Sequence, residues 1–460
     1  MSSKISGFYP ELEEFLSVPG RTLLVKGSPG AGKTTLALNL LEYLCARSKG
    51  EGGVDSYPKG VYFSTRVPEE SLEKQFPWVS FSELYIEDLR LSSIENFLNE
   101  VLKKIRVNSP VIVLDSWDAY AKEMDERDRL KTEKTIVSIA TVSKSRVIFV
   151  SEETRQTTLD YLVDGVVELS AESVDSRLFR AGYLRKLRGL NIRFHVRPYT
   201  LVGAMIRGFD VYEEPDYTYV RRIEVLPDFD GKYSFGSHTL DEKLGGLPYG
   251  ATMTIEYTPD VPITAVAGLS QPMIVNFVLM GRSVVIVPLP GVSPEIIAKW
   301  LLNVVGEEAF TQHMAIYHDG EITSTNFKEI FFNLDDDMDD SAEEFNQLTA
   351  KLRKSSVDGR VLFVRSLSVI ENKHFGELNR VAALVSRRIS SAQNLFDAQF
   401  YFVESNSPLK PKVVSMSQRH LKLSVRNGVV LAYGEKPYTP LHVLEYVNRD
   451  PLSPQITEVA

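Results

Sequence analysis

The sequence predicts two three-layer α/β/α domains with mostly parallel central sheets, the second a degenerate copy of the first. Three observations carry this expectation. Short apolar runs that read as buried strands alternate with helical segments through the first half. A glycine-rich loop joins the first of these runs to a helix. The same order of features returns after residue 230, with the loop's glycines and lysine replaced.

The elements follow in order. "RTLLVKG" is an apolar run ending in glycine, a buried strand entering a turn. The next segment places Ala37, Leu40, Leu41 and Leu44 at helical spacing on one face. Cys45 follows that face and is expected to pack as a small hydrophobe. Further strands are expected at "GVYFST" (60–65), "PVIVLDS" (110–116), "RVIFVSE" (146–152) and "DGVVELS" (164–170). The expected division is a first domain over 1–210, a linker over 211–230, a degenerate domain over 231–436 and a C-terminal, Pro-rich tail over 437–460.

Composition narrows the function. The 460 residues are 43% hydrophobic and 25% charged, as in ordinary globular proteins. No apolar stretch approaches the roughly 18 residues of a membrane span, so no membrane partner is expected. "MSSKISGFYPELEEF" lacks a leader-like apolar run, and the single cysteine precludes an internal disulfide, so a cytoplasmic location is expected. A net charge of −9 argues against general nucleic-acid affinity.

The loop reads Gly27, four residues, then Gly32, Lys33 and Thr34. This spacing is that of a phosphate-binding loop. Its backbone N–H groups, from Gly27, Ser28, Pro29, Gly30, Ala31, Gly32, Lys33, Thr34 and Thr35 (Pro29 excepted as a donor), surround phosphate oxygens at a helix N-terminus. Lys33 is expected to reach the β- and γ-phosphates and Thr34 to ligate Mg2+. Asp115, ending "VIVLD", is the expected second metal residue, because an acid at the C-terminal end of a buried parallel strand faces the site crevice. The expected cofactors are ATP and Mg2+.

The order "GSPGAGKTT", "VYFST", "VIVLDS", "VIFVSEE", "DGVVELS" and "LRKLRG" resembles the RecA superfamily. More narrowly, it resembles the branch of the circadian-clock ATPase KaiC and its archaeal relatives, including the gas-vesicle regulator D family. The resemblance implies tandem RecA-like domains, a homo-oligomer (hexameric rings among the options) and a protein partner. In such rings a Lys-x-Arg-Gly on a late strand reaches the neighbouring subunit's nucleotide. That role carries over to Lys186 and Arg188 of "YLRKLRG"; a solvated basic strand face is the alternative. The chain also departs from the family. Where KaiC-like ATPases carry two glutamates after the second strand, Thr65 and Arg66 stand here. Glu69 and Glu70 follow Pro68 and suit a helix's first turn. Glu152 and Glu153, at the end of the fourth strand, are then the candidates for positioning water or sensing the γ-phosphate, Glu152 first. The expected catalytic set is Lys33, Glu152, Lys186 and Arg188.

This pattern is expected to give a nucleotide-dependent regulator with slow or absent hydrolysis. An active ring ATPase completed in trans by Lys186 and Arg188 is the second reading. A recombinase-like DNA-binding ATPase is the third, disfavoured because "AYAKEMDERDRLKTEK" after Asp115 mixes acids and bases evenly.

In the second half, Gly250 stands before an apolar strand as Gly20 does, which implies internal duplication. "EYTPDVPIT" (256–264) replaces the phosphate loop with two prolines and Asp260, so no Mg-ATP is expected there and an assembly or partner-binding role is. "RVLFVRS" is expected to place Arg365 where the metal aspartate would be, as a surface or salt-bridged residue. The acidic run 334–344 is expected to be a solvated loop.

Overall fold

The computed structural model describes residues 9–48, 60–80, 84–90, 92–105, 111–218, 223–320, 322, 327–334 and 338–460. The chain forms two units, Met1–Asp210 with Glu458–Ala460, and Val211–Thr457. Among the described residues no helix is long and apolar enough to cross a membrane.

In the first unit β1 (Thr22–Gly27), β2 (Gly60–Ser64), β3 (Leu84–Asp88), β4 (Val111–Asp115), β5 (Arg146–Ser151), β6 (Gly165–Val174), β7 (Arg177–Leu187), β8 (Val196–Thr200) and β9 (Arg207–Gly208) form one sheet. Their order is β3-β2-β4-β5-β1-β6-β7-β8-β9. The pairings from β3 to β6 are parallel. Those from β6 to β9 are antiparallel. Strands β1, β2 and β4 are buried along their whole length, because helices cover both faces. On one face Val25, Tyr62, Val113 and Val150 pack with Ala37, Leu40, Leu41 and Leu44 of the helix Lys33–Ser48. On the other, Leu24, Phe63, Ile112 and Phe149 meet Phe97 and Val101 of Ile94–Ile105 and Ile136 and Ala140 of Glu126–Ser143. Cys45 is half-buried against the first of these cores.

The second unit opens with a two-stranded ribbon of β10 (Lys232–Tyr233) and β11 (Leu247–Pro248). Its large sheet contains β12 (Thr252–Tyr257), β13 (Ser283–Val287), β14 (Met314–His318), β15 (Phe331–Asn333), β16 (Val361–Ser366), β17 (Ala398–Glu404), β18 (Arg419–Arg426), β19 (Val429–Lys436), β20 (His442–Tyr446) and β21 (Pro454–Glu458). The order β15-β14-β13-β16-β17-β12-β18-β19-β20-β21 repeats that of the first sheet with β15 added at the edge, β12 in the place of β1 and β16 in the place of β4. Both units are thus α/β folds built on a large sheet that is mostly parallel. Gly20 and Gly250 are equivalent in detail. Their φ values are +81° and +77°, and a Cβ would lie 3.2 Å from Thr141 O and 2.9 Å from Gln393 O. Those carbonyls belong to corresponding helices, Glu126–Ser143 and Leu378–Asn394.

Three expectations for the second half need correction. Residues 437–460 are not a tail: they supply β20, which pairs with β19, and β21 at the sheet's end. The acidic run is not a loop from Met338 onward, where the helix Met338–Ser355 begins; residues 335–337 lie outside the described residues. Arg365 does not occupy the position of the metal aspartate. Asp115 is registered with Val150 of β5, and Ser366, registered with Phe402 of β17, is its counterpart. One residue earlier, Arg365 points to the opposite face, beside Phe363 and Tyr401. Nor is it exposed, and among the described residues it has no ion pair: it is 1% exposed and hydrogen-bonds Gln399 and Tyr401.

Candidate nucleotide site

The site forms where β1 ends and the helix Lys33–Ser48 begins. The loop turns sharply through Gly27, Gly30 and Gly32, whose φ values are +152°, +78° and +87°. At Gly27 the backbone passes so close to β6 that a Cβ would lie 2.1 Å from Leu169 O. At Gly32 a Cβ would meet the Leu201 side chain at 2.9 Å. The antiparallel strands brace the loop from outside. Arg180 of β7 donates to Gly30 O at 2.7 Å, and the Tyr199 hydroxyl of β8 donates to Ala31 O. Neither contact was legible in the sequence, since the partners are 150 and 168 residues apart.

Lys33, Thr34 and Asp115 come together as expected. They line one cavity of about 340 Å³ with Tyr62, Arg66 and Glu152. Lys33 Nζ donates to Ser28 O at 2.8 Å. Burial pushes its ammonium pKa down, opposed by the charges of Glu152 and Asp115. Asp115 Oδ2 accepts from Thr34 Oγ1 and from the Tyr62 hydroxyl, each at 2.6 Å. Burial pushes the Asp115 carboxyl up, and those two hydrogen bonds oppose it. Thr34 and Asp115 thus present adjacent hard oxygens, the donor type Mg2+ takes when one or two protein ligands are completed by phosphate and water. The residues present fit that ion. Ser116 also lines the cavity, with a buried hydroxyl that has no hydrogen-bond partner among the described residues.

Arg66 was noted in the sequence only as a departure, yet it is part of the site. Its Nη1 and Nη2 donate to the two carboxylate oxygens of Glu152, the second at 3.0 Å. The guanidinium holds the Glu152 carboxyl below the usual glutamate range, with Lys33 and Lys122 adding to the effect. Asp118 fixes the backbone there by accepting from Glu152 N and, at 2.9 Å, from Ser151 Oγ. Glu69 and Glu70 sit exposed in the first turn of the helix Glu69–Gln75 and do not line the cavity. Glu153 donates its backbone N–H to Ser151 Oγ at 3.0 Å and does not line it either.

Lys186 and Arg188 are not brought to this cavity. Lys186 Nζ donates to the carbonyls of Asp160, Tyr161 and Val163, at 2.9, 3.1 and 2.5 Å. Arg188 donates to Tyr161 O at 3.1 Å and pairs with Asp164 at 3.3 Å. Asp164 in turn accepts from Thr22 at the start of β1, at 3.0 and 3.1 Å. Neither cation lines the cavity: through Val166, Lys186 stands level with Leu24 in the middle of β1, and Arg188 is tied through Asp164 to Thr22 at the start of that strand.

A second ion pair anchors the loop strand. Lys26 Nζ meets Asp160 Oδ1 at 2.6 Å, both nearly buried. Asp160 Oδ2 accepts from Thr157 N and Oγ1 at 2.8 and 2.9 Å, which caps the helix Thr158–Leu162. Replacing Asp160 with alanine leaves Lys26 as a buried, unpaired charge, and unfolding measurements should show a loss of about 3 kcal/mol. Burial pushes the Asp160 carboxyl up, but Lys26 and Thr157 outweigh it and hold the pKa below the ordinary aspartate value. A depressed folded-state value means the stabilisation is complete above about pH 4 and is lost as pH falls through the folded value. The difference in stability between wild type and Asp160→Ala should shrink over that acid range.

Residues 12–187 match the family model described as GvpD gas vesicle protein, P-loop domain. The chain is 25% identical to protein GvpD2 of Halobacterium salinarum over 480 aligned positions, which cover 95% of this chain and 93% of that protein. It is 22% identical to protein GvpD1 of the same organism, covering 94% and 93%. Among solved structures, a KaiC-like protein from the hyperthermophilic archaeon Pyrococcus horikoshii is 21% identical with a TM-score of 0.36, covering 42% of this chain and 90% of that one.

Proposed function

We propose that this chain, whose N-terminal unit is a GvpD-type P-loop domain, is a nucleotide-dependent regulator that binds Mg-ATP and hydrolyses it slowly. Its proposed setting, by its similarity to GvpD proteins, is the control of gas vesicles.

One observation carries the slow-hydrolysis reading. Lys33, Thr34 and Asp115 line the cavity together, while Glu152, the glutamate among the residues that line it, is held by Arg66. The loop N–H groups and the helix N-terminus bind phosphate oxygens, and Lys33 leaves Ser28 O to meet them. Thr34 and Asp115 are the residues that would hold Mg2+, which supplies charge neutralisation at the phosphates. Glu152 is ionised but bidentate with a guanidinium, so its oxygens are not free to orient water. Binding and turnover are thereby separated. The second unit, without a phosphate loop, is proposed to serve assembly or partner binding.

The Arg66–Glu152 pair gives the test. In Arg66→Ala, phosphate release at saturating Mg-ATP should rise about 100-fold, the lower end of what a general base contributes. Arg66→Ala/Glu152→Gln should return to the wild-type rate. A double variant as fast as Arg66→Ala would remove Glu152 from the account.

A further inference from the structure

We infer that the second unit binds a small organic oxyanion, a phosphate or carboxylate on a flat apolar body, between Arg365 and Arg388. The cavity lies on the face of the second sheet covered by the helices Met338–Ser355 and Leu378–Asn394, with a volume of about 440 Å³. This is within the usual size of small-molecule clefts, roughly 300–1,000 Å³. By the register above, it is across the sheet from the side on which a nucleotide would sit.

The argument begins with charge. Arg365 is 1% exposed, yet its side-chain hydrogen bonds go to neutral groups, Gln399 Oε1 at 2.6 Å and the Tyr401 hydroxyl at 3.2 Å. Its Nε is buried without a hydrogen-bond partner among the described residues. Arg388 lines the same cavity, and its pKa is pushed down to about 10, by burial first and then by the charge of Arg365. Among the described residues neither cation pairs with a carboxylate. Asp397, the one carboxylate lining the cavity among those residues, is taken: Arg353 grips both its oxygens, and Val361 N donates to it at 3.0 Å.

A fully buried guanidinium, Arg365, beside a half-buried one, Arg388, with no carboxylate paired to either among the described residues, is a costly arrangement. A bound oxyanion removes that cost, and the guanidinium fork fits phosphate or carboxylate geometry. The walls suggest the rest of the ligand. Phe363 lies 4.3 Å from the Arg365 guanidinium carbon and Phe345 4.2 Å from that of Arg388, so two aromatic rings adjoin the cations.

The experiment is calorimetric titration of the full chain with phenyl phosphate, benzoate and inorganic pyrophosphate at low ionic strength. It is run in the Lys33→Ala background to silence the phosphate loop. Phenyl phosphate or benzoate should bind, and Arg365→Met or Arg388→Met should weaken that binding about 30-fold or more. Arg380→Ala, an exposed residue outside the cavity, serves as control and should leave binding unchanged. Phenyl phosphate tighter than benzoate assigns a phosphate ligand, and the reverse a carboxylate. Thermal unfolding separates site from scaffold: without ligand, Arg365→Met should match or exceed the parent Tm, because a buried charge is removed. Failure of all three probes to bind up to about 10 mM, the weak end of specific affinity, overturns the inference. Binding indifferent to Arg365→Met overturns it as well, as does a fall in Tm on that substitution.

Discussion

Replacing Lys33 with alanine should reduce Mg-ATP affinity about 100-fold or more, the scale for removing one partner of a buried charge pair. The reason is geometric as much as electrostatic. Lys33 extends from the first turn of its helix into the cavity and is 7% exposed, so a phosphate meeting it would be screened little by water. Without ligand it holds only a carbonyl of its own loop, Ser28 O, and burial already lowers its pKa. Folding therefore depends on it little, and the apo Tm should change by the equivalent of about 1 kcal/mol or less. Calorimetric titration with Mg-ATP and thermal unfolding on the same sample check both halves. Unchanged affinity would remove the loop from nucleotide binding.

Gly27→Ala should do the converse and damage the fold itself, by about 4 kcal/mol or more. Gly27 pairs with Leu169 in the β1–β6 register, and its φ is +152°. A methyl there would lie 2.1 Å from Leu169 O and 3.1 Å from Leu169 C. Both atoms are backbone, so relief requires the two central strands to separate. Gly30→Ala is the contrast. Its φ of +78° is also unfavourable, but nothing among the described residues lies within 4 Å of its Cβ position. It should cost only the conformational penalty, about 1–2 kcal/mol. Denaturant unfolding of the two variants separates close approach from backbone strain.

What the sequence made legible follows from burial. Strands β1, β2, β4 and β5 are covered on both faces and read as continuous apolar runs. Strand β3 at the sheet edge, "LYIED", has no fully buried residue, and its short, charged run gave no comparable signal. The braces from Arg180 and Tyr199 and the Arg66–Glu152 pair join residues far apart in the chain, which no local pattern encodes. Arg365 was misplaced by one residue, and one residue along a strand is a change of face. Lys186 and Arg188 do converge, as residues two apart should, but on the carbonyls ending a helix of their own unit. Neither lines the cavity of the loop.

The most direct test of the central claim is phosphate release per bound Mg-ATP, measured over a wide range of protein concentration in wild type and Arg188→Ala. The account predicts saturable binding, slow release that does not rise with concentration, and no dependence on Arg188. Release that climbs as the chains associate, and that vanishes in Arg188→Ala, would contradict it and establish a ring ATPase completed between subunits.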